Sequence, residues 1–75
     1  MNYLRLKQLQ NKINISKSKI YADMKNKKFP INIKLGRMSL WVEEEIDEYI
    51  KFVSCGNKTE VEVKEFVEYL MSKRN

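Results

Sequence analysis

Apolar positions recur along this chain with two different periods, and the switch between them marks out the elements. Between Arg5 and Ile13, Leu6, Leu9 and Ile13 fall at i, i+3 and i+7, one face of a helix, while Lys7, Gln8, Gln10, Asn11 and Lys12 fill the rest. Asn14 tolerates the left-handed conformation and Ser16 is a good N-cap, so a tight turn is predicted there. A second helix follows from Lys17 to about Asn26, with Ile20, Tyr21 and Met24 as its apolar positions. Two short helices so closely joined fit a helix-turn-helix. Pro30 disfavours helix at Phe29, and the period then becomes two: Ile31, Ile33 and Leu35 alternate with Asn32 and Lys34. A strand at Ile31–Leu35, a turn at Gly36-Arg37 and a returning strand at Met38–Val42 predict a β-hairpin.

The helical period resumes at Glu43–Val53, where Val42, Ile46, Tyr49, Ile50 and Val53 make the apolar stripe. Glu43, Glu44 and Glu45 sit in its first turn, where carboxylates favour the helix dipole. Ser54-Cys55-Gly56-Asn57 breaks the pattern, with Gly56 suited to a left-handed C-cap. Thr59 and Glu62 then have capping-box spacing, opening a last helix to about Lys73 with Val63, Phe66, Val67, Leu70 and Met71 on one face. Lys73 and Arg74 complement its C-terminal dipole. The predicted order is α-α-β-β-α-α: mainly α with a small β-hairpin, a winged helix-turn-helix (α-α-β-β-α) over residues 1–54, plus an extra C-terminal helix in residues 55–75. That last helix is expected to pack on the domain, or to form a partner surface.

Composition removes most enzymatic options. The 75 residues hold no histidine and a single cysteine, Cys55, so the commonest general base, a Cys-based zinc site and an intrachain disulfide are all excluded. Two glycines cannot build a Gly-rich phosphate loop. The acidic run Glu43–Glu48 is explained by its helical first turn without catalytic or Mg²⁺ chemistry, so no enzyme and no cofactor is expected. No apolar run approaches the roughly 18 residues of a membrane span and no leader pattern opens the chain, so a cytoplasmic protein is expected, nucleoid-associated when bound to DNA. Cys55 is expected to be reduced and semi-buried near a helix end. Trp41, between strand and helix, is expected in the core; Tyr21 is expected to lay its ring on the core, with its hydroxyl free to reach a phosphate.

Charge adds the functional direction. Residues 1–40 hold ten Lys and Arg against one acid, Asp23, a net of +9; residues 41–75 hold five against nine, a net of −4. Such asymmetry predicts that one face meets a polyanion. The second helix, Ser16–Lys25, is the candidate for a major groove, with Lys17, Ser18 and Lys19 at its N-terminus and Lys25 two turns on. Ser16 and the free N–H groups beside it suit a phosphate, as do Lys27 and Lys28 after the helix. Asp23 would repel phosphates, accept from a cytosine amino group, or pair with Lys19 or Lys27 four residues away, and the pairing is the expected one. The hairpin offers Lys34, Arg37 and Ser39, and an arginine at its tip suits a narrow minor groove.

The chain also resembles the AlpA family of small prophage and mobile-element regulators. The resemblance runs over about residues 4–53 and rests on Arg5-Leu6-Lys7, Ile15-Ser16-Lys17-Ser18-Lys19-Ile20-Tyr21, Lys28-Phe29-Pro30, Lys34-Leu35-Gly36, Trp41 and Glu44-Glu45-Ile46-Asp47. It implies a MerR-like winged helix related to phage excisionases, binding double-stranded DNA sequence-specifically as an excisionase-type architectural factor or a transcriptional regulator. An integrase or replication protein of the same element and self-association on DNA are further expected partners. Four positions depart from the family pattern: Ala22 replaces a basic residue, Lys19 a threonine, Asn32 a proline, and the wing is about one residue shorter. Ala22, Asp23 and the additional helix favour an alternative, a winged-helix adaptor that binds a replication or recombination protein.

Overall fold

The structure, a computed structural model, describes residues 2–74. Seven elements follow one another: β1 (Tyr3–Arg5), α1 (Leu6–Ile13), α2 (Lys17–Lys25), β2 (Ile33–Leu35), β3 (Met38–Val42), α3 (Glu43–Ser54) and α4 (Glu60–Ser72). The four helices surround a three-stranded antiparallel sheet of order β1-β3-β2. This architecture, mainly helical with a small sheet, is compatible with a winged helix-turn-helix. It differs from the predicted order by β1, which pairs Tyr3, Leu4 and Arg5 with Val42, Trp41 and Leu40 and makes β3 the central strand. No helix among the described residues is long and apolar enough to cross a membrane.

Local chemistry accounts for the boundaries. Asn14 ends α1 in the left-handed region at φ 58°. The Ser16 hydroxyl accepts from the Lys19 N–H at 3.3 Å and starts α2, and Thr59 with Glu62 forms the predicted capping box of α4. The hairpin turns through two residues, with Gly36 at φ +64° between the paired Leu35 and Met38. Arg37 keeps a negative φ, so the turn has the type II′ pattern with glycine first. Strand β2 begins two residues later than the alternation predicts. Pro30 brings no N–H, the Ile31 carbonyl is taken by Arg74, and the Asn32 amide donates to Ser39 Oγ at 3.0 Å.

The core gathers Leu4, Leu9, Ile20, Phe29, Trp41 and Ile46, with Leu6, Ile13, Ile15, Met24, Tyr49 and Ile50 packed half-buried around it. Trp41 is fully buried; Tyr21 meets it edge-on at 6.3 Å between ring centroids, and Tyr49 meets Phe29 likewise at 5.0 Å. Helix α4 lies along α3. Phe66 stacks on Phe52 at 4.2 Å, Val67 and Leu70 are buried, and Arg74 pairs with Glu45. One expectation is corrected here. Cys55 is exposed, because it caps α3 beyond the last packed turn. Ile31, before β2, and Leu35 are exposed as well; Leu35 pairs with Met38 on the sheet face opposite Trp41 and Leu4.

Removal of the central indole tests this account. Trp41→Ala should cost about 3–5 kcal/mol, a large share of the roughly 4–11 kcal/mol a domain of this length holds at 0.05–0.15 kcal/mol per residue. Thermal melting by circular dichroism should show a collapsed transition. An unchanged melting temperature would place Trp41 outside the packing core.

Candidate nucleic-acid interface

Helix α2 buries Ile20 against the core and half-buries Asp23 and Met24; of the six exposed residues that remain, Lys19 is paired with Asp23 and the others are Lys17, Ser18, Tyr21, Ala22 and Lys25. These positions are i, i+1, i+4, i+5 and i+8, a single continuous stripe along the helix. Ala22 at its centre carries no bulk, so a ligand can approach the backbone closely there. Lys17, Ser18 and Lys25 are exposed, and neither lysine makes an ion pair among the described residues. Lys19 lies beside the stripe with its ammonium 3.1 Å from Asp23 Oδ1. That pairing neutralises the one acid of the basic half, as the i, i+4 spacing predicts.

The hairpin carries Lys34 and Arg37, both exposed, and Ser39, whose hydroxyl is engaged by Asn32. Sequence reasoning missed Arg5 as a neighbour of this region. It stands on β1, and its guanidinium donates toward Met38 Sδ at 3.0 Å, next to the hairpin turn. Its signal was ambiguous, because Arg5 precedes a helical pattern and only the register with Leu40 brings it to the hairpin.

Lys27 and Lys28 are placed differently from the other candidates. After α2, the Lys28 N–H donates to the Asp23 carbonyl at 2.8 Å and the Lys27 N–H to the Met24 carbonyl at 3.1 Å. With Lys27 at φ 60° this is a Schellman C-cap in which lysine holds the usual glycine position. Both side chains then turn toward α4. Lys27 lines a groove with Ile31, Lys64, Val67, Glu68 and Met71, and the Lys28 ammonium is held by Glu60. The structure places Ser16, Lys17, Ser18, Lys19, Tyr21 and Lys25 on α2 and its cap, Lys34, Arg37 and Ser39 on the hairpin, and Lys27 in the groove along α4. Lys28 is withdrawn from that set.

The titratable groups follow these contacts. The hydrogen bond and charge of Lys28 lower the Glu60 carboxyl pKa, and the hydrogen bond to Asp47 raises that of Lys12, which also reaches Glu43 at 3.5 Å. Burial pushes the Tyr49 hydroxyl up to about 12, with the Asp23 charge adding to the effect.

A small, mainly helical domain with a hairpin beside a cation-lined helix is the class of protein these features define. The chain belongs to the AlpA family: the family described as prophage CP4-57 regulatory protein (AlpA) matches residues 2–55, from the start of β1 to the cap of α3. It is a prophage regulatory family, not an enzyme family, and α4 lies beyond the matched residues. No match to the chain is found among curated proteins or among solved structures.

The cap of α2 gives a direct test of backbone strain. A side-chain-bearing residue in the left-handed region costs roughly 1–2 kcal/mol, which glycine avoids while losing part of the gain to chain entropy. Lys27→Gly should therefore stabilise the protein by about 0.5–1 kcal/mol and raise the melting temperature by several degrees, measured in high salt. A lower melting temperature would mean that packing of the Lys27 stem outweighs its strain.

Proposed function

We propose that the protein regulates its mobile element by binding double-stranded DNA sequence-specifically. Helix α2 enters a major groove along its exposed stripe, and the β2–β3 hairpin lies along the neighbouring minor groove with Arg37 at its tip. The observation that carries this reading is the sorting of cations. Lys12, Lys28, Lys73 and Arg74 are all taken up by carboxylates of α3 and α4. Lys17, Lys25, Lys34 and Arg37 are exposed, and Asp23 is neutralised by Lys19. A helix whose N-terminal side chains and free N–H groups face solvent suits base edges and phosphates, and a hairpin guanidinium suits a narrow minor groove. Excisionase-type bending and promoter regulation would both use this act; footprinting on attachment-site DNA against promoter DNA distinguishes them. Val61 and Tyr69, exposed on α4 among glutamates, favour the second reading, an adaptor for a replication or recombination protein.

Binding to DNA should be steeply salt-dependent. With about five phosphates neutralised, the log–log slope of affinity against salt should be near −4 to −5. A slope flatter than about −1, or no binding at low salt, would favour the adaptor.

Position should matter as much as charge. Lys17→Ala and Lys25→Ala should each cost specific binding about 1–3 kcal/mol if they reach base edges, well beyond the loss for Lys51→Ala on α3. Equal losses in titration by fluorescence anisotropy would contradict the assignment of α2.

A further inference from the structure

We propose that α4 splints the connection between α2 and the β2–β3 hairpin, and that Arg74 is the positioning residue through which it sets the wing for DNA. The second part rests on the DNA-binding reading above. Residues 26–32 are the covalent route from α2 to the hairpin, so their conformation acts, with the β1–β3 pairing and the Tyr21–Trp41 contact, on where the wing stands relative to the exposed stripe of α2. Phe29 and Pro30 anchor the middle of this route in the interior. Both of its flanks are held by α4. Lys28 is gripped by Glu60, the first residue of that helix, and the Ile31 carbonyl accepts from Arg74 Nη2 at 2.6 Å, just past its end. Val67 and Met71, between those ends, line a groove with Ile31 and Lys27.

The Arg74 guanidinium is itself fixed. Its Nε and Nη2 meet Glu45 Oε2 and Oε1 at 2.7 and 2.6 Å, and the Glu45 side chain is only 12 % exposed. One planar fork thus ties the turn after α4, the first turn of α3 and the route into the hairpin. A bidentate, charge-assisted pair of this kind is stronger and better oriented than a single ion pair. The Ile31 carbonyl lies outside the strand ladder, which begins at Ile33. The neighbouring Lys73 does something simpler. Its ammonium is 3.4 Å from Glu48 and 5.2 Å from the centre of the Tyr69 ring, both on the paired helices. Tacking down the end of α4 therefore does not need Arg74, whereas fixing the route to the wing does. A protein that must meet two adjacent grooves gains affinity when helix and wing are already spaced, because the ordering cost is not charged to binding.

The test uses the full chain as wild type, Arg74→Ala, Arg74→Lys and Lys73→Ala. Amide hydrogen exchange on the free proteins should show faster exchange across residues 31–42 in Arg74→Ala, with α1 and α2 unaltered. Arg74→Lys should show a smaller increase and Lys73→Ala none. Unchanged exchange in the hairpin, or a uniform rise over the whole chain, overturns the splint. In DNA titrations Arg74→Ala should weaken binding by about tenfold, against about twofold or less for the equal charge loss in Lys73→Ala. Adding Arg37→Ala should cost far less in the Arg74→Ala background than in wild type, because the wing is already misplaced. Additive losses overturn the positioning role. If the wild-type chain binds no DNA, the positioning role falls with the DNA reading, and hydrogen exchange alone decides the splint.

Discussion

Burial of the Trp41 indole is the constraint on which the rest of this small protein depends. The residue stands on the central strand, paired with Leu4 across the sheet and met edge-on by Tyr21 of α2. Among the described residues its Nε1 is the one buried side-chain polar atom without a hydrogen-bond partner. Leaving that N–H unpaired costs about 1–3 kcal/mol. Removing some 150–250 Å² of aromatic surface from water returns about 4–6 kcal/mol at 25 cal/mol per Å². The apolar gain wins. It also sets the depth at which α2 sits, because Tyr21 rests on the ring while Ile20 enters the same core. The solvent-facing stripe of α2 is thus a consequence of how the indole is covered.

Charge works on this frame as a sorting device more than as a source of stability. The ion pairs of α3 and α4 are largely exposed, and such pairs contribute roughly 0–1 kcal/mol each. Their effect is to decide which cations keep an unbalanced field. Lys12 is drawn to Asp47 at 2.8 Å, Lys28 to Glu60 and Arg74 to Glu45, all on the acidic second half of the chain. Lys17 and Lys25 of α2 and Lys34 and Arg37 of the hairpin are exposed and in none of these pairs, whereas single lysines of α1, α3 and α4 (Lys7, Lys51 and Lys64) stand among the carboxylates of the second half or apart from this group. A net charge of +5 spread evenly would present the same field in every direction; here the first forty residues hold +9 and the rest −4.

How much of this was legible in the sequence follows from the range of the interactions. Helix ends are written locally, in Asn14, Ser16 and the Thr59–Glu62 pair, so the helices and their apolar faces could be read directly. The pairing of Lys19 with Asp23 spans four residues and was equally accessible. Strand β1 was not, because three residues show no period and their partners are about forty positions away. The same holds for Lys28, whose exposed place in a basic run gives no hint that Glu60 holds it. The strand alternation misleads about direction: Ile33 and Leu35 face away from Trp41, and only the register with Leu40 and Met38 reveals it. The left-handed backbone at Lys27 was illegible because lysine does not advertise that conformation.

The placement of β1 at the edge of a sheet whose other two strands form a local hairpin bears on how the chain acquires its shape. Leu4 must wait for Trp41, thirty-seven positions later, before either is shielded. The hairpin and the α1–α2 pair involve near neighbours and can form early, since short loops close at little entropic cost. Strand β1 therefore has no partner until β3 is in place, although it precedes β3 in the chain. An interrupted chain ending before β3 would leave Leu4 without its cross-strand partner Trp41 and the core without the indole and Ile46.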